Sequence, residues 1–244
     1  MPIPQEEFVD WLSAIGKSPS PSELSRISGM NRTTVQAQLR ADHVPETTVL
    51  LLARKLGLDP LDQLSTFSPY QDLVAGTRDP SLPEVLSQLN YWDVADEMSS
   101  RADRAAIQPG LGLWALGNGL RDWIQSIDPG GLRVELSARF GVLRPNVSAM
   151  ITKNRMPMPM LVEAARIAQV SLASGLVVTG LLTLEEGRWP TRIREDALGE
   201  ISDLELVDLL SEKLAAIRGE LVSDTSTVQG LWSLARGTES FSPG

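Results

Sequence analysis

Side chains that can donate paired hydrogen bonds are concentrated in residues 31–40, NRTTVQAQLR. Arginine can bond guanine O6 and N7 together, and asparagine or glutamine can bond adenine N6 and N7. Helical spacing puts Val35 and Leu39 on one face of this stretch and the polar residues on the other. The chemistry that these residue types support is therefore the reading of base edges in DNA. The candidate base-reading residues are Asn31, Arg32, Thr33, Gln36 and Arg40.

The stretch lies in a sequence repeat. Residues 24–39, LSRISGMNRTTVQAQL, and 136–151, LSARFGVLRPNVSAMI, share six of sixteen positions at a shift of 112, among them Arg32 and Arg144. The same shift, without a gap, pairs Trp11 with Trp123. Such a register indicates a tandem duplication. The base-reading candidates of the second copy are Arg144, Pro145, Ser148 and Thr152.

Local signals predict that short helices position these residues. Ser20 and Glu23 have the spacing of a capping box around Pro21, which predicts the start of a second helix after an amphipathic first one. Gly29 predicts a tight turn, and Asn31 caps the next helix, which is expected to run through Arg40. A further helix is predicted to begin at Pro45 and to end at Gly57. A short fifth helix is predicted at 59–64. Trp11 and Trp123, on apolar helix faces, are expected in the core.

This pattern resembles the helix-turn-helix domains of the lambda-repressor/Cro type over residues 5–67, and less closely over 117–181. The matching residues are Leu24, Ser25, Gly29, Arg32, Val35, Pro45, Ala53, Leu56, Gly57, Leu58 and Leu64. The resemblance implies domains of about five short helices, in which the second helix of the motif enters the major groove of DNA. In the second copy, Leu143 replaces Asn31 and Gln169 replaces Gly57, so its helix ends are less well defined by sequence.

Positive charge coincides with the repeat although the chain is acidic overall, with a net charge of −9. Residues 17–55 hold six Lys or Arg against three Asp or Glu, and residues 131–167 hold six against two. Local clusters of this kind attract a polyanion whatever the total charge. Candidates for phosphate contacts, which would position the protein without reading sequence, are Ser20, Ser22, His43, Arg54, Lys55, Arg133, Arg139, Lys153, Asn154, Arg155 and Arg166.

The expected organisation is all-α, with two helix-turn-helix domains at 1–68 and 111–182 joined by a linker, 69–110, that contains a helix. A flexible joint is predicted at 105–112. Residues 183–244 are predicted to form a helical segment and a disordered tail covering the final twenty residues. An amphipathic helix at 201–221 either joins two chains as a homodimer or folds back onto its own domain, leaving a monomer with two heads.

Several classes of function find no support in the sequence. Cysteine is absent and histidine occurs once, so no thiolate or imidazole-rich metal site is expected. Glycine-rich phosphate loops and nucleophile elbows are also lacking, so neither a cofactor nor an enzymatic activity is expected. No run approaches the roughly 18 apolar residues of a membrane span. We therefore expect a cytoplasmic, nucleoid-associated protein with double-stranded DNA as its partner.

These features predict a sequence-specific transcriptional regulator, a repressor of phage or prophage type, whose two different heads occupy an asymmetric operator. Two alternatives are open. The first is an architectural nucleoid protein that bridges DNA with low specificity. The second is a protein-interaction module, such as an antitoxin or anti-repressor, that uses the same helical surfaces on a protein partner.

Overall fold

The fold was analysed in a computed structural model that describes residues 3–103 and 119–219. These residues are predominantly helical, and the strands among them are only two residues long. The all-α prediction is confirmed. The joint predicted at 105–112 lies in the gap between the two described ranges, and the disordered tail predicted for the final twenty residues lies beyond the second range.

In the first copy, Ile3–Pro4 (β1) pairs antiparallel with His43–Val44 (β2), with Ile3 opposite Val44. Sequence patterns did not indicate this short ribbon, which fixes the segment after the third helix against the N-terminus. Both Ile3 and Val44 are fully buried. The helices are Gln5–Ala14 (α1), Pro21–Ser28 (α2), Arg32–Gln38 (α3), Glu46–Leu56 (α4) and Pro60–Leu64 (α5), followed by a 3-10 turn at Ser68–Tyr70.

After the first copy come Leu82–Gln88 (α6) and Tyr91–Asp103 (α7). The helices of the second copy are Gly119–Ile127 (α8), Leu132–Phe140 (α9), Arg144–Thr152 (α10), Met158–Ala168 (α11) and Ser174–Val178 (α12). At the shift of 112, α4 and α11 have identical bounds, and the other four pairs agree within two residues. Helical positions therefore follow the sequence repeat.

The repeat in helix positions continues beyond these five helices. Ile193–Glu200 (α13) corresponds to α6, and residues 203–219 (α14) correspond to α7. Asn90 and Asp93 cap α7 reciprocally, since each backbone amide donates to the other's side chain. Ser202 and Glu205, at the equivalent positions, make the same pair of bonds before α14. The predicted helix at 201–221 is thus found, from 203 to the end of the described residues.

Most of the local signals act as predicted, with two exceptions. Asn31 accepts the amide of Thr33 and caps α3, and Gly29 and Gly57 end α2 and α4 in the left-handed conformation. The capping box at Ser20 is wrong: Ser20 is at the N-cap position, but its side chain makes no capping bond, and Pro21 alone marks the start. The helix through Arg40 is also wrong, because α3 ends at Gln38.

The described chain divides into two units. The first combines residues 3–88 with 119–194, and the second combines 89–103 with 195–219. One apolar core runs through both copies of the first unit and includes Trp11 and Trp123, as predicted. There α6 packs on α8, where the buried Glu84 carboxylate accepts the indole N–H of Trp123 at 3.1 Å. The boundaries proposed from sequence, 1–68 and 111–182, stay a prediction.

In the second unit, Arg101 joins α7 to the end of α13, to the link that follows it and to the first residue of α14. Its guanidinium donates to the carbonyl oxygens of Leu198 and Ile201 and to the carboxylate of Asp203. Leu206 on α14 is fully buried, whereas Leu204 and Leu214 are exposed. The helix therefore buries one side and leaves apolar residues outside, and homodimerisation through it stays a prediction.

The ends of α4 and α11 allow a matched test of backbone strain. Gln169 takes a left-handed φ of 57°, and Gly57, its equivalent, takes 69°. Because a side chain destabilises this conformation by about 1 kcal/mol, Gln169→Gly should raise the free energy of unfolding by about 0.5–1 kcal/mol. Gly57→Ala should lower it by about 1 kcal/mol, since its added Cβ would meet open space and only the strain would count. Urea denaturation measures both; equal shifts of the same sign would contradict the explanation.

Candidate nucleic-acid interface

Each copy presents a helix, a glycine turn and a second helix of the same construction. The hydroxyl of Ser25 donates to the carbonyl of Met30 at 2.7 Å, and that of Ser137 donates to the carbonyl of Val142 at 2.6 Å. Both bonds span a glycine, Gly29 or Gly141, with a positive φ of 76° or 62°. This bond closes the turn from inside, so the helix after it is held at a fixed angle to the helix before it.

The polar face of α3 is exposed, as its residue pattern predicts. Val35 is buried, Gln36 is half-buried, and Arg32 and Thr33 are exposed. The oxygen of the Asn31 side chain accepts both the amide and the hydroxyl of Thr33, at 3.0 and 2.9 Å. Asn31 consequently has only its N–H groups left to offer, which suits a phosphate or a base acceptor but not paired recognition of adenine.

Helix α10 presents a different set of side chains at equivalent positions. Arg144 and Pro145 are exposed in its first turn, Ser148 is half-buried, and the hydroxyl of Thr152 donates to the Ser148 carbonyl at 3.0 Å. Leu143, where the first copy has Asn31, is 72% exposed. Sequence reasoning did not place Leu143 on this surface; the signal available was an apolar residue at a helix-capping position. An apolar side chain here can contact a thymine methyl group, which an asparagine cannot do as well.

The segment after α10 carries three of the predicted phosphate contacts. Lys153, Asn154 and Arg155 are all exposed, and Asn154 has a positive φ of 51°. In the first copy the corresponding segment carries fewer cationic side chains: Arg40 is exposed just beyond α3, and His43 is exposed in β2. Of the remaining phosphate candidates, Ser22, Lys55 and Arg133 are exposed and Ser20 is half-buried.

Three of the candidate arginines form ion pairs inside the fold. Arg54 binds both carboxylate oxygens of Glu186, at 2.7 and 2.6 Å. Arg166 binds Asp72 at 2.6 Å and also pairs with Glu163, which pairs with Arg139 as well. Arg32, Arg40, Arg144, Lys153 and Arg155 form no ion pair with any residue that the structure describes. The positive charge that a polyanion would meet therefore belongs mainly to these five cations, which form no ion pair with the described residues.

Carboxylates are absent from the two motif segments. Residues 24–41 contain three arginines and no Asp or Glu, and residues 136–162 contain three arginines, one lysine and no Asp or Glu. Arg139 in the second segment pairs with Glu135 and Glu163, so the positive charge of the two segments rests on their other cations, which have no carboxylate within the same segment. The arrangement can bind phosphates and read base edges; it offers no nucleophile with an adjacent base.

Comparison with models of known families, with curated proteins and with solved structures finds no match to this chain. Over the described residues, no helix combines the length and apolar character needed to cross a membrane. Nor do three or more His, Asp or Glu side chains come together there in a group that could hold a metal ion. The resemblance to helix-turn-helix domains consequently depends on the residues and geometry described above.

The Arg54–Glu186 pair can be measured by a double-mutant cycle. The hydrogen bonds from Arg54 lower the pKa of Glu186 below its ordinary value, and bonds from Thr183 add to this. We expect Arg54→Met and Glu186→Gln each to destabilise the chain, with a coupling of about 1 kcal/mol, because the pair is only partly shielded from solvent.

The pH dependence of that coupling follows from the direction of the shift. A carboxylate with a lowered pKa stabilises the fold above its unfolded pKa, about 4.3, and loses this as the pH falls through the lower folded value. Urea unfolding at neutral and at acidic pH should therefore show the coupling only at neutral pH. Arg192→Ala, which removes another exposed arginine of this unit, is the control. A coupling that is the same at both pH values would contradict this account.

Proposed function

We propose that the chain is a sequence-specific, double-stranded DNA-binding transcriptional regulator, of the repressor type found in phages and prophages. The observation that carries this is the repeated glycine-turn motif with an exposed, carboxylate-free, donor-bearing second helix. Two such motifs lie in one unit of one chain. Occlusion of a promoter would need only binding, with no cofactor and no chemical step.

Within each motif we assign base reading to the second helix. Arg32 and Arg144 are the identical, exposed first residues of α3 and α10, and arginine at this point can bond guanine O6 and N7. Gln36 is the residue best able to read adenine in the first copy, because its amide makes no hydrogen bond with the described residues. The second copy has Leu143 and Pro145 instead, which favour apolar contact.

Phosphate contacts would then come from the exposed cations around the motifs. Lys153 and Arg155 directly follow α10, and Lys55 and Arg133 lie on neighbouring helices. Arg54, Arg139 and Arg166 were also candidates, but their ion pairs with carboxylates give them a role in holding the fold. Because the two helices differ at nearly every outward position, the two half-sites would differ in sequence, giving an asymmetric operator.

The test is selection of bound duplexes from a random library, followed by binding measurements at fixed salt. Arg32→Ala and Arg144→Ala should each weaken binding to the selected site by about 1–3 kcal/mol, roughly 5- to 150-fold, and relax base preference at one position. Arg192→Ala, an exposed arginine outside both motifs, is the matched control and should change affinity less than twofold.

Other outcomes identify the other functions. Binding to every duplex with equal affinity, weakening steeply with salt, would contradict specific regulation and indicate an architectural DNA-binding protein. Absence of DNA binding by a folded chain would contradict both and leave a protein-interaction role. Circular dichroism of each variant shows that lost binding is not lost folding.

A further inference from the structure

The two copies contact each other through the same surface on each side. Arg54, in α4, binds Glu186 of the second copy; Arg166, its equivalent in α11, binds Asp72 of the first. Subtracting 112 places Glu186 at position 74 of its own copy, two residues from position 72. The end of the fourth helix in either copy thus pairs with a carboxylate in the segment after the fifth helix of the other.

A second pair of contacts repeats the pattern. The amide of Leu172, at the start of the α12 region, donates to the carbonyl of Gly76 at 3.1 Å. In the opposite direction, Arg188, the equivalent of Gly76, forms an ion pair with Asp62 in α5. Here too a residue at position 76 of one copy contacts the fifth-helix region of the other, positions 60–62.

Reciprocal contacts of this kind identify the symmetry that relates the copies. When patch i of one copy meets patch j of the other and patch j of the first meets patch i of the second, the relation is a two-fold rotation. A translation along one direction would instead use each patch only once. The copies are therefore related by an approximate two-fold axis through positions 54–78 of each, although they belong to one chain.

The base-reading helices lie outside this interface. Among the described residues, no hydrogen bond or ion pair joins α3 or α10 to the other copy. A half-turn that exchanges the copies consequently exchanges α3 with α10, and it reverses the part of each helix's direction that is perpendicular to the axis.

On this basis we propose that the chain is a built-in pseudo-dimer whose two half-sites on DNA are inverted with respect to each other. This rests on the proposed DNA-binding function and adds the orientation of its site. Duplex DNA has local two-fold axes perpendicular to its length, so proteins with two-fold symmetry read inverted half-sites. Because α3 and α10 differ in their side chains, the site is an imperfect inverted repeat, not a direct one.

The orientation can be mapped with a cleavage reagent on each helix of the full chain. Ala37 and Ala149 are identical, equivalent and exposed, and the chain has no cysteine. Ala37→Cys and Ala149→Cys each accept one iron–EDTA group, and hydroxyl radicals then cut the selected duplex near that helix. We expect two cleavage patterns that superimpose after rotation by 180° about the site's centre, with the strands exchanged. The control is the wild-type chain, which has no cysteine to carry the reagent and should give no cuts after the same treatment.

Patterns that superimpose by sliding along the same strands would overturn the inverted orientation while leaving specific DNA binding intact. Uniform cutting along the duplex would overturn the proposed function, and the orientation with it. A second measurement does not depend on the reagent: the guanines whose preference is lost in Arg32→Ala and in Arg144→Ala should lie on opposite strands. Loss on the same strand would contradict the two-fold arrangement.

Discussion

A close backbone contact at Gly76 governs how the two copies fit together. A Cβ at this residue would clash with the Leu172 side chain and would lie 3.1 Å from the carbonyl oxygen of Asp72, so glycine lets the two segments approach. The Leu172 amide bonds the Gly76 carbonyl, and the neighbouring Arg78 amide donates to the buried Ser171 hydroxyl at 3.2 Å. The ion pairs on either side are partly exposed and contribute modestly. Leu73 and Leu172, beside them, are buried apolar residues.

The two copies have nevertheless diverged around their conserved tryptophans. The indole N–H of Trp11 donates to Gln63 at 3.0 Å within its own copy. The residue equivalent to Gln63 is Gly175, where a Cβ would lie 2.9 Å from the Trp123 ring. Trp123 instead donates to Glu84 of α6. The missing side chain at position 175 thus goes together with a contact from α6, the helix that follows the first copy, while an open pocket lies beside Trp11.

Local chemistry in the sequence was enough to predict most helices and the candidate surface. Asn31, Gly29 and Gly57 act through their own backbone conformations, so their effects can be read from neighbouring residues. The equivalence of α6–α7 with α13–α14 was missed, because only Leu86/Leu198, Asp96/Asp208 and Ser99/Ser211 are identical over residues 82–103. What survives there is a pattern of buried apolar residues and an N-terminal cap, not residue identity.

Contacts distant in sequence were beyond prediction. The β1–β2 ribbon joins residues about forty positions apart, and the Arg54–Glu186 pair spans 132. Arginines such as Arg54 and Arg166 look alike in a sequence whether they face a phosphate or a carboxylate of the same chain. Only the folded arrangement separates the cations already neutralised from those such as Arg32 and Arg144 that have no described partner.

Joining the two copies in one chain has a consequence for behaviour at low abundance. Two separate subunits come apart on dilution, so the fraction of assembled pairs depends on how many molecules a cell contains. Here the partner copy is always present at the concentration that the connecting chain imposes. The paired arrangement of residues 3–88 and 119–194 therefore persists however scarce the protein is, and either copy can change its outward side chains without imposing the same change on the other.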